Sequence, residues 1–469
     1  MTNAYTSPFG ERYSSKEMLQ LFSPDRKFRT WRRLWIALAR AEKKLGIKRI
    51  TDGMIAELEK HADDINYASA RAHEERLKHD VMGHIHAYME QCPTAKDIIH
   101  LGATSMYVVD NTDLILMRDA LELLERQLTN VVDALAKFAK KYASVPTVAF
   151  THFQPAQFTT VGKRACLWLY DLLLDLDEVA LRREQLKFLG VKGTTGTQAS
   201  FLELFEGDEE KVKKLDVAVT REMGFRESYK VSGQTYSRKV DSQIMAALAG
   251  IAQSAHKFSN DLRLLQHLRE IQEPFGKDQV GSSAMAYKRN PMKSERIASL
   301  SRFVITLYTN AGFTAASQWF ERTLDDSAGK RIVVPEAFLA TDAILQLYLS
   351  VAGGLDVNRE VIAGNVQEQI GDIATENLLM QAVKAGGSRQ ELHEVIRKHK
   401  MESKDGDLLD RLKNDEAFKA VRGRFSSLLK AEQYVGRSPS QVREFLEEEV
   451  EPRLAPRRKA LGLKSEVKV

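Results

Sequence analysis

Residues 111–142 read NTDLILMRDALELLERQLTNVVDALAKFAKKY, a stretch without glycine or proline. Leu114, Met117, Leu121, Leu124, Leu128, Val131, Leu135, Phe138 and Tyr142 return every three or four residues. That spacing predicts one helix of about 30 residues with a single apolar stripe. Asn111 or Thr112 is the expected cap, and Asp113 falls in the first turn, where a negative charge suits the helix dipole. Four further stretches carry the same rhythm: just after Pro155 to about Phe188, about Ser237 to Ile271, Pro291 to beyond Leu307, and about Pro335 to Val351. Globular helices average about 11 residues. Five much longer ones imply a bundle core, a coiled coil or an oligomer.

The flanks are shorter in period. Helices are expected at 30–45, with Gly46 as stop, and at 51–61, with Thr51 or Asp52 as cap. In the first, Leu34, Trp35, Leu38 and Leu45 form the apolar face, with Arg32, Arg33, Arg40, Lys43 and Lys44 on the polar side. Beyond residue 357 the segments 359–369, 372–384, 388–399, 406–413, 415–430 and 439–451 read as short helices. The expected fold class is all-α, in three parts: an N-terminal helical domain (1–104), a central long-helix bundle (105–357) and a C-terminal helical domain (358–469). Extended pieces are expected only near 146–152 and 330–334.

The bulk properties fit this. The 469 residues are too many for one core. Hydrophobic residues make up 43% and charged residues 28%, and no uninterrupted apolar run reaches membrane-spanning length. The N-terminus lacks the pattern of a secretory signal. Cys92 and Cys166 are the only cysteines, which points to a reducing, cytoplasmic setting. The net charge of +5 is spread among interleaved acids and bases. The basic end PRRKALGLKSEVKV reads as a solvated tail rather than a nucleic-acid surface. A mild positive balance suits an anionic small molecule.

Chemistry is expected in the polar segments between the long helices. GSSAMAYKRNP (281–291) offers Ser282, Ser283, Tyr287, Lys288, Arg289 and Asn290 and no acid. It reads as a lid over an anion, with the N–H groups of the following helix aimed at what it covers, or as a flexible surface loop. THFQPAQ (151–157) puts His152 just ahead of a long helix, as a general acid or base or as a helix-capping group. KHDVMGHIH (78–86) and HLGATS (100–105) bring four histidines close in sequence, but His79, His84 and His86 lack the i, i+4 spacing of a zinc helix, so no metal is expected. Thr104 and Ser105 read as a donor-rich turn. WFERTLDDSAGKR (319–331) clusters Arg322, Ser327, Lys330 and Arg331, as an anion site or as a solvated turn. VKGTTGTQAS (191–200) lacks the Walker lysine spacing and reads as a turn of small polar residues.

GSSAMAYKRNP closely resembles the signature loop of the fumarase/aspartase superfamily. With THFQPAQ, HLGATS, GQTYSRK (233–239) and ERTLDDSAGKR, the ordered set resembles the adenylosuccinate lyase family in its animal-type form, over essentially the whole chain. The resemblance implies a homotetramer whose central helices merge, active sites shared by three subunits, and no cofactor. It implies elimination of fumarate from adenylosuccinate and from the succinylated aminoimidazole carboxamide ribotide (SAICAR), with Ser282 as base and His152 as acid. Lys288, Asn290, Thr104 and Ser105 would hold the fumaryl part. Arg12, Tyr13, Arg322, Ser327 and Arg331 would hold the phosphate. Lys78, His79 and Asp80 would orient the substrate, with Thr151, Gln234 and Arg296 as further contacts. The alternatives are an argininosuccinate lyase-like enzyme, which the arginine-rich 322–331 segment disfavours, and a structural relative without activity, which the intact His152, Ser282, Lys288 and Asn290 disfavour.

One position departs from the superfamily pattern: Ala286 follows Met285 where proline is usual. Alanine leaves one φ angle free, a difference of about 0.4–1 kcal/mol. Ala286→Pro is therefore expected to leave turnover intact and to order the loop, checked by steady-state rates and by protease sensitivity at 281–291.

Overall fold

The structure, a computed structural model, describes residues 4–403 and 407–467. The N-terminal part is built on α1 (Pro24–Lys44), opened by Ser23, whose hydroxyl accepts from Arg26 N–H, and by Pro24 at its first position. Trp31, Leu34, Trp35 and Leu38 are fully buried on it. α2 (Asp80–Gln91) is capped by the His79 ring, which accepts from the Met82 N–H.

The bundle follows. α3 (Ser105–Lys141) packs on α4 (Val161–Gln185), and β1 (Pro146–Thr151) and β2 (Gln154–Thr160) form an antiparallel hairpin between them. A short helix, α5 (Glu209–Glu222), lies beside α1. α6 (Lys239–His267), α7 (Met292–Ala316) and α8 (Asp325–Ala352) complete the five long helices of the bundle; α6 packs on α7 and α4, and α8 on α7 and α3. The stripe read from 111–142 is buried: Leu114, Leu121, Leu124, Leu128, Val131 and Leu135 are fully covered, each such leucine contributing about 1.5–3 kcal/mol. The helices also close on Gly162, where an added Cβ would lie 2.3 Å from the Ala139 carbonyl oxygen. α8 is long and apolar enough to cross a membrane, and 83% of its apolar window is buried inside the bundle, which makes it the core helix. Beyond β4 (Asp356–Val357), paired with β3 (Ile271–Gln272), α9 (Arg359–Lys384) leads to a second apolar cluster of residues 374–425.

Several expected boundaries move, each for a local reason. α3 begins at Ser105, not at Asn111 or Thr112, because both are fully buried. The Asn111 amide donates to the carbonyls of Tyr107 and Gly190 from within the helix. Pro155 sits in strand β2, and Thr160 caps α4 in its place. The segment 330–334, expected to be extended, is helical: α8 starts at Asp325 and carries Pro335 inside, anchored by the buried Asp326 and Lys330. Pro291 stands just before α7. Segments 359–369 and 372–384 are one helix, and 416–429 is a 3₁₀ run. Arg32 is not on the polar side of α1. It is 2% exposed, donates to the His61 carbonyl and Gln91, and lies 4.3 Å above the Tyr88 ring.

Glu42 is buried in α1 with both carboxyl oxygens unpartnered. Burial pushes its pKa from an ordinary 4.5 up to about 9. The proton held by the folded state stabilises it fully below pH 4.5, and that contribution is lost as pH rises toward 9. Glu42→Gln keeps the neutral form at every pH. Its unfolding free energy should exceed the parent's by a margin that widens between these limits, by up to about 1.4 kcal/mol per pH unit. A margin flat with pH would contradict the assignment.

Candidate active site

One corner of the subunit, where α1, α2, α3 and α8 meet, gathers most of the polar motifs. Lys78 ends the helix Tyr67–Leu77 in the left-handed conformation, φ 55°, turning the chain so that His79 can start α2. The His79 Nε2 lies 3.2 Å from the Ser105 hydroxyl, the first residue of α3. Thr104, next to it, is half-buried, and its hydroxyl makes no cap bond to the helix. Arg331 on α8 donates to Asp80 at 2.6 Å. Burial works against the Asp80 charge, but Arg331, the Val81 N–H and Lys27 outweigh it and hold the carboxyl below the usual range.

Lys27 belongs to this corner and was missed by sequence reasoning. Burial lowers its pKa, Asp113, Arg331 and Asp80 act on its charge, and its ammonium lies 5.2 Å from the Trp31 ring. On the sequence it is one more cation in the basic run of 26–33, and nothing local separates it from its neighbours.

Beneath the corner lies a buried ionic network. Arg238 donates twice to Asp110, at 3.0 and 3.1 Å, and at 2.6 Å to Asp326. Asp326 also receives Arg322 at 2.9 Å. Lys330 donates to the Tyr236 oxygen at 2.6 Å and lies 3.0 Å from Asp113, while Tyr236 donates to Asp241. Burial disfavours the charges of Arg238 and Lys330, and the surrounding carboxylates overcome it. Gln234 is tied in through its N–H to the Glu321 carbonyl and its amide to the Thr194 carbonyl, each at 3.0 Å. Ser327 stands half-buried in the first turn of α8. The segment 322–331 is thus a built-in element, not a solvated turn.

Three other groups stand apart. Thr151 and His152 are exposed at the hairpin tip, where His152 (φ 54°) and Phe153 (φ 59°) make the turn. His152 is therefore not at a helix N-terminus, because the strand 154–160 intervenes. Arg12 and Tyr13 lie on a single π turn, Phe9–Tyr13, with the guanidinium 5.8 Å from the Tyr13 ring. The loop 281–291 is the third group. Its neck is closed: Asn290 donates to the Gly281 carbonyl at 2.9 Å. The Ser282 oxygen accepts the N–H groups of Ala284 and Met285 at 3.3 and 3.1 Å. Two donors thus already face the atom that would carry negative charge as an alkoxide. Lys288 is exposed, and Arg296 is half-buried on α7. The N–H groups of Lys293 and Ser294 are not aimed at a ligand, as expected from sequence, but are taken by Glu273 at 3.0 and 2.9 Å. Among the described residues, no hydrogen bond or ion pair joins His152 or Ser282 to the His79–Arg331 corner.

The remaining histidines have other tasks. His84 stacks on Phe28 at 3.8 Å, His86 stacks on His73, and the His100 Nδ1 accepts the Trp35 indole N–H at 2.9 Å. Burial lowers the pKa of both His84 and His100 to about 4.

Comparison with known proteins defines the class first. Residues 27–306 match the family described as Lyase, and residues 371–445 match the one described as Adenylosuccinate lyase C-terminus. The fold is shared with a 3-carboxy-cis,cis-muconate lactonizing enzyme from Pseudomonas putida (TM-score 0.84, 21% identity, covering 96% of this chain and 99% of that one). It is shared equally with a fumarate lyase from Mesorhizobium (TM-score 0.81, 22% identity, covering 96% and 99%). The subunit is an all-helical lyase of the fumarase/aspartase type. Among sequence relatives, adenylosuccinate lyase of Saccharomyces cerevisiae is 49% identical over 98% of this chain and 97% of its own, and that of Schistosoma mansoni 43% identical over 99% of each. The chain belongs to the adenylosuccinate lyase family.

Gly281 decides whether the loop neck can close, since an added Cβ would lie 2.0 Å from the Lys288 carbonyl oxygen. Gly281→Ala is expected to cut turnover by about tenfold or more while leaving the melting temperature within a few degrees. Unchanged turnover would show that the neck has no part in the reaction.

Proposed function

We propose that this enzyme eliminates fumarate from adenylosuccinate, giving AMP, and from SAICAR, giving AICAR. The observation that carries the reading is the Ser282 oxygen facing two backbone N–H groups within a loop that holds no acid. Membership of the family supports it. Serine is a poor base at its ordinary pKa and needs donors that stabilise the alkoxide. Ala284, Met285 and the ammonium of Lys288 supply them. Ser282 takes the Cβ proton. The carbanion delocalises into the adjacent carboxylate, held by Asn290, Thr104 and Ser105. The C–N bond breaks, and His152 protonates the departing nitrogen. Arg12, Tyr13, Arg322, Ser327 and Arg331 hold the phosphate. Lys78, His79 and Asp80, with Thr151, Gln234 and Arg296, orient the rest.

The reading extends to a homotetramer with each site shared by three subunits. Two features support this. The hairpin, the loop and the His79–Arg331 corner carry separate parts of one chemistry without direct bonds between them. The long helices also leave large apolar side chains exposed, including Leu167 and Leu174 on α4 and Phe313 on α7. The division at 104/105 and 357/358 is supported by the start of α3 and by the separate cluster of 374–425. A cytoplasmic location is supported by two buried, unpaired thiols.

Fumarate release is followed by absorbance with adenylosuccinate and, separately, argininosuccinate. Release from the first and not from the second is expected; the reverse sinks the reading. His152→Ala and Ser282→Ala should each lose about 10²–10⁴ in turnover. Mixing and refolding the two inactive variants should restore part of the rate if sites are shared, and none if each subunit works alone.

A further inference from the structure

We propose that the cleft between α1 and α5 is a second nucleotide site, taking a nucleoside triphosphate. It comprises two adjoining cavities of about 610 and 550 Å³ that share Arg40 and Glu222. Each volume falls in the range of small-molecule sites. Arg40 stands between them, paired with Glu59 and, at 2.7 Å, with Glu222. The larger cavity is lined by Arg40 and Lys44 from α1 and by Lys213, Lys214 and Arg221 from α5, against the single acid Glu222, and of these Lys213 is paired with Glu210 at 2.7 Å. The side chains of Lys44, Lys214 and Arg221 form no hydrogen bond or ion pair among the described residues.

The floor tells against a bare ion. Ala41, Val217 and Ala218 line it, and Val217 is 46% exposed. An apolar floor rimmed by cations fits a ligand with a flat, weakly polar body and a polyanionic tail. A base laid on Val217 with its phosphates on Lys44, Lys214 and Arg221 satisfies both. An isolated phosphate would leave the apolar floor uncovered. The larger cavity, where the ligand is placed, stands apart from the His79–Arg331 corner: Lys44 lies about 25 Å from Lys27 along α1 at the helical rise. The proposal therefore does not rest on the assigned catalytic roles.

The test is calorimetric titration of the full-length enzyme with ATP, tripolyphosphate and AMP, at two salt concentrations. ATP should bind with one equivalent per subunit that persists in Arg331→Ala, where the phosphate end of the active site is weakened. The same equivalent should weaken by about tenfold or more in Lys214→Glu/Arg221→Glu, while that double variant releases fumarate at the parent rate. Tripolyphosphate should bind more weakly than ATP, because it lacks the body that covers the floor. The proposal is overturned if no such equivalent appears, if it disappears in Arg331→Ala but survives the double charge reversal, or if tripolyphosphate binds as tightly as ATP.

Discussion

The contact between Arg238 and the two carboxylates Asp110 and Asp326 is the constraint on which the rest of the His79–Arg331 corner depends. It ties together the three helices that carry the site: Asp110 on α3, Arg238 at the start of α6 and Asp326 on α8. All three side chains are at most 2% exposed. Burying charge is costly, and removing one partner of such a group leaves the others uncompensated, at about 3–5 kcal/mol. The helices consequently cannot slide past each other without breaking a charged bond in a dry interior. Apolar packing alone fixes axial position far less sharply, since neighbouring turns of leucine are nearly interchangeable. Arg322 hangs from this network through Asp326, and Arg331 leaves α8 one residue after Lys330. The positions of both arginines are inherited from the buried charges below them.

Legibility from sequence followed physical range. The long helices were readable because a 3.6-residue stripe is a local property, and the stripe of α3 is fully covered in the fold. Their ends were less so. Asn111 and Thr112 look like caps because small polar residues favour caps, yet Asn111 spends its amide on Gly190, far along the chain. Pro335 looked like a helix start, but the anchoring of Asp326 and Lys330 to other helices carries α8 past it. Arg32 looked solvated because its burial depends on Gln91 and Tyr88 from another helix. In each case a distant partner reversed a local preference.

The site divides the same way. The motifs at 78–80, 104–105, 234 and 322–331 were recognisable one by one, and the fold brings them to a single corner. Lys27 and the supporting Asp110 carry no local signature, and Arg238 was quoted only as part of GQTYSRK, since their importance arises from what other helices place beside them. His152 was read as an acid, a base or a capping group just ahead of a long helix, and that setting was misread. A two-residue turn with positive φ at both positions holds it at the tip of a hairpin, which projects the ring instead of tucking it against a helix end.

Glu273 has a consequence for how the 281–291 loop can move. By taking the N–H groups of Lys293 and Ser294 together with the Ser294 hydroxyl, it anchors the downstream root of the loop to the strand-side chain upstream of it. Both ends of the segment are thus clamped to each other, and the chain between them is a closed ring rather than a free arm. The entropy of bringing its ends together has been spent in folding, so any rearrangement of the segment is confined to torsions inside the ring. Such a change is short and local, and it leaves undisturbed the bundle on which the loop is mounted.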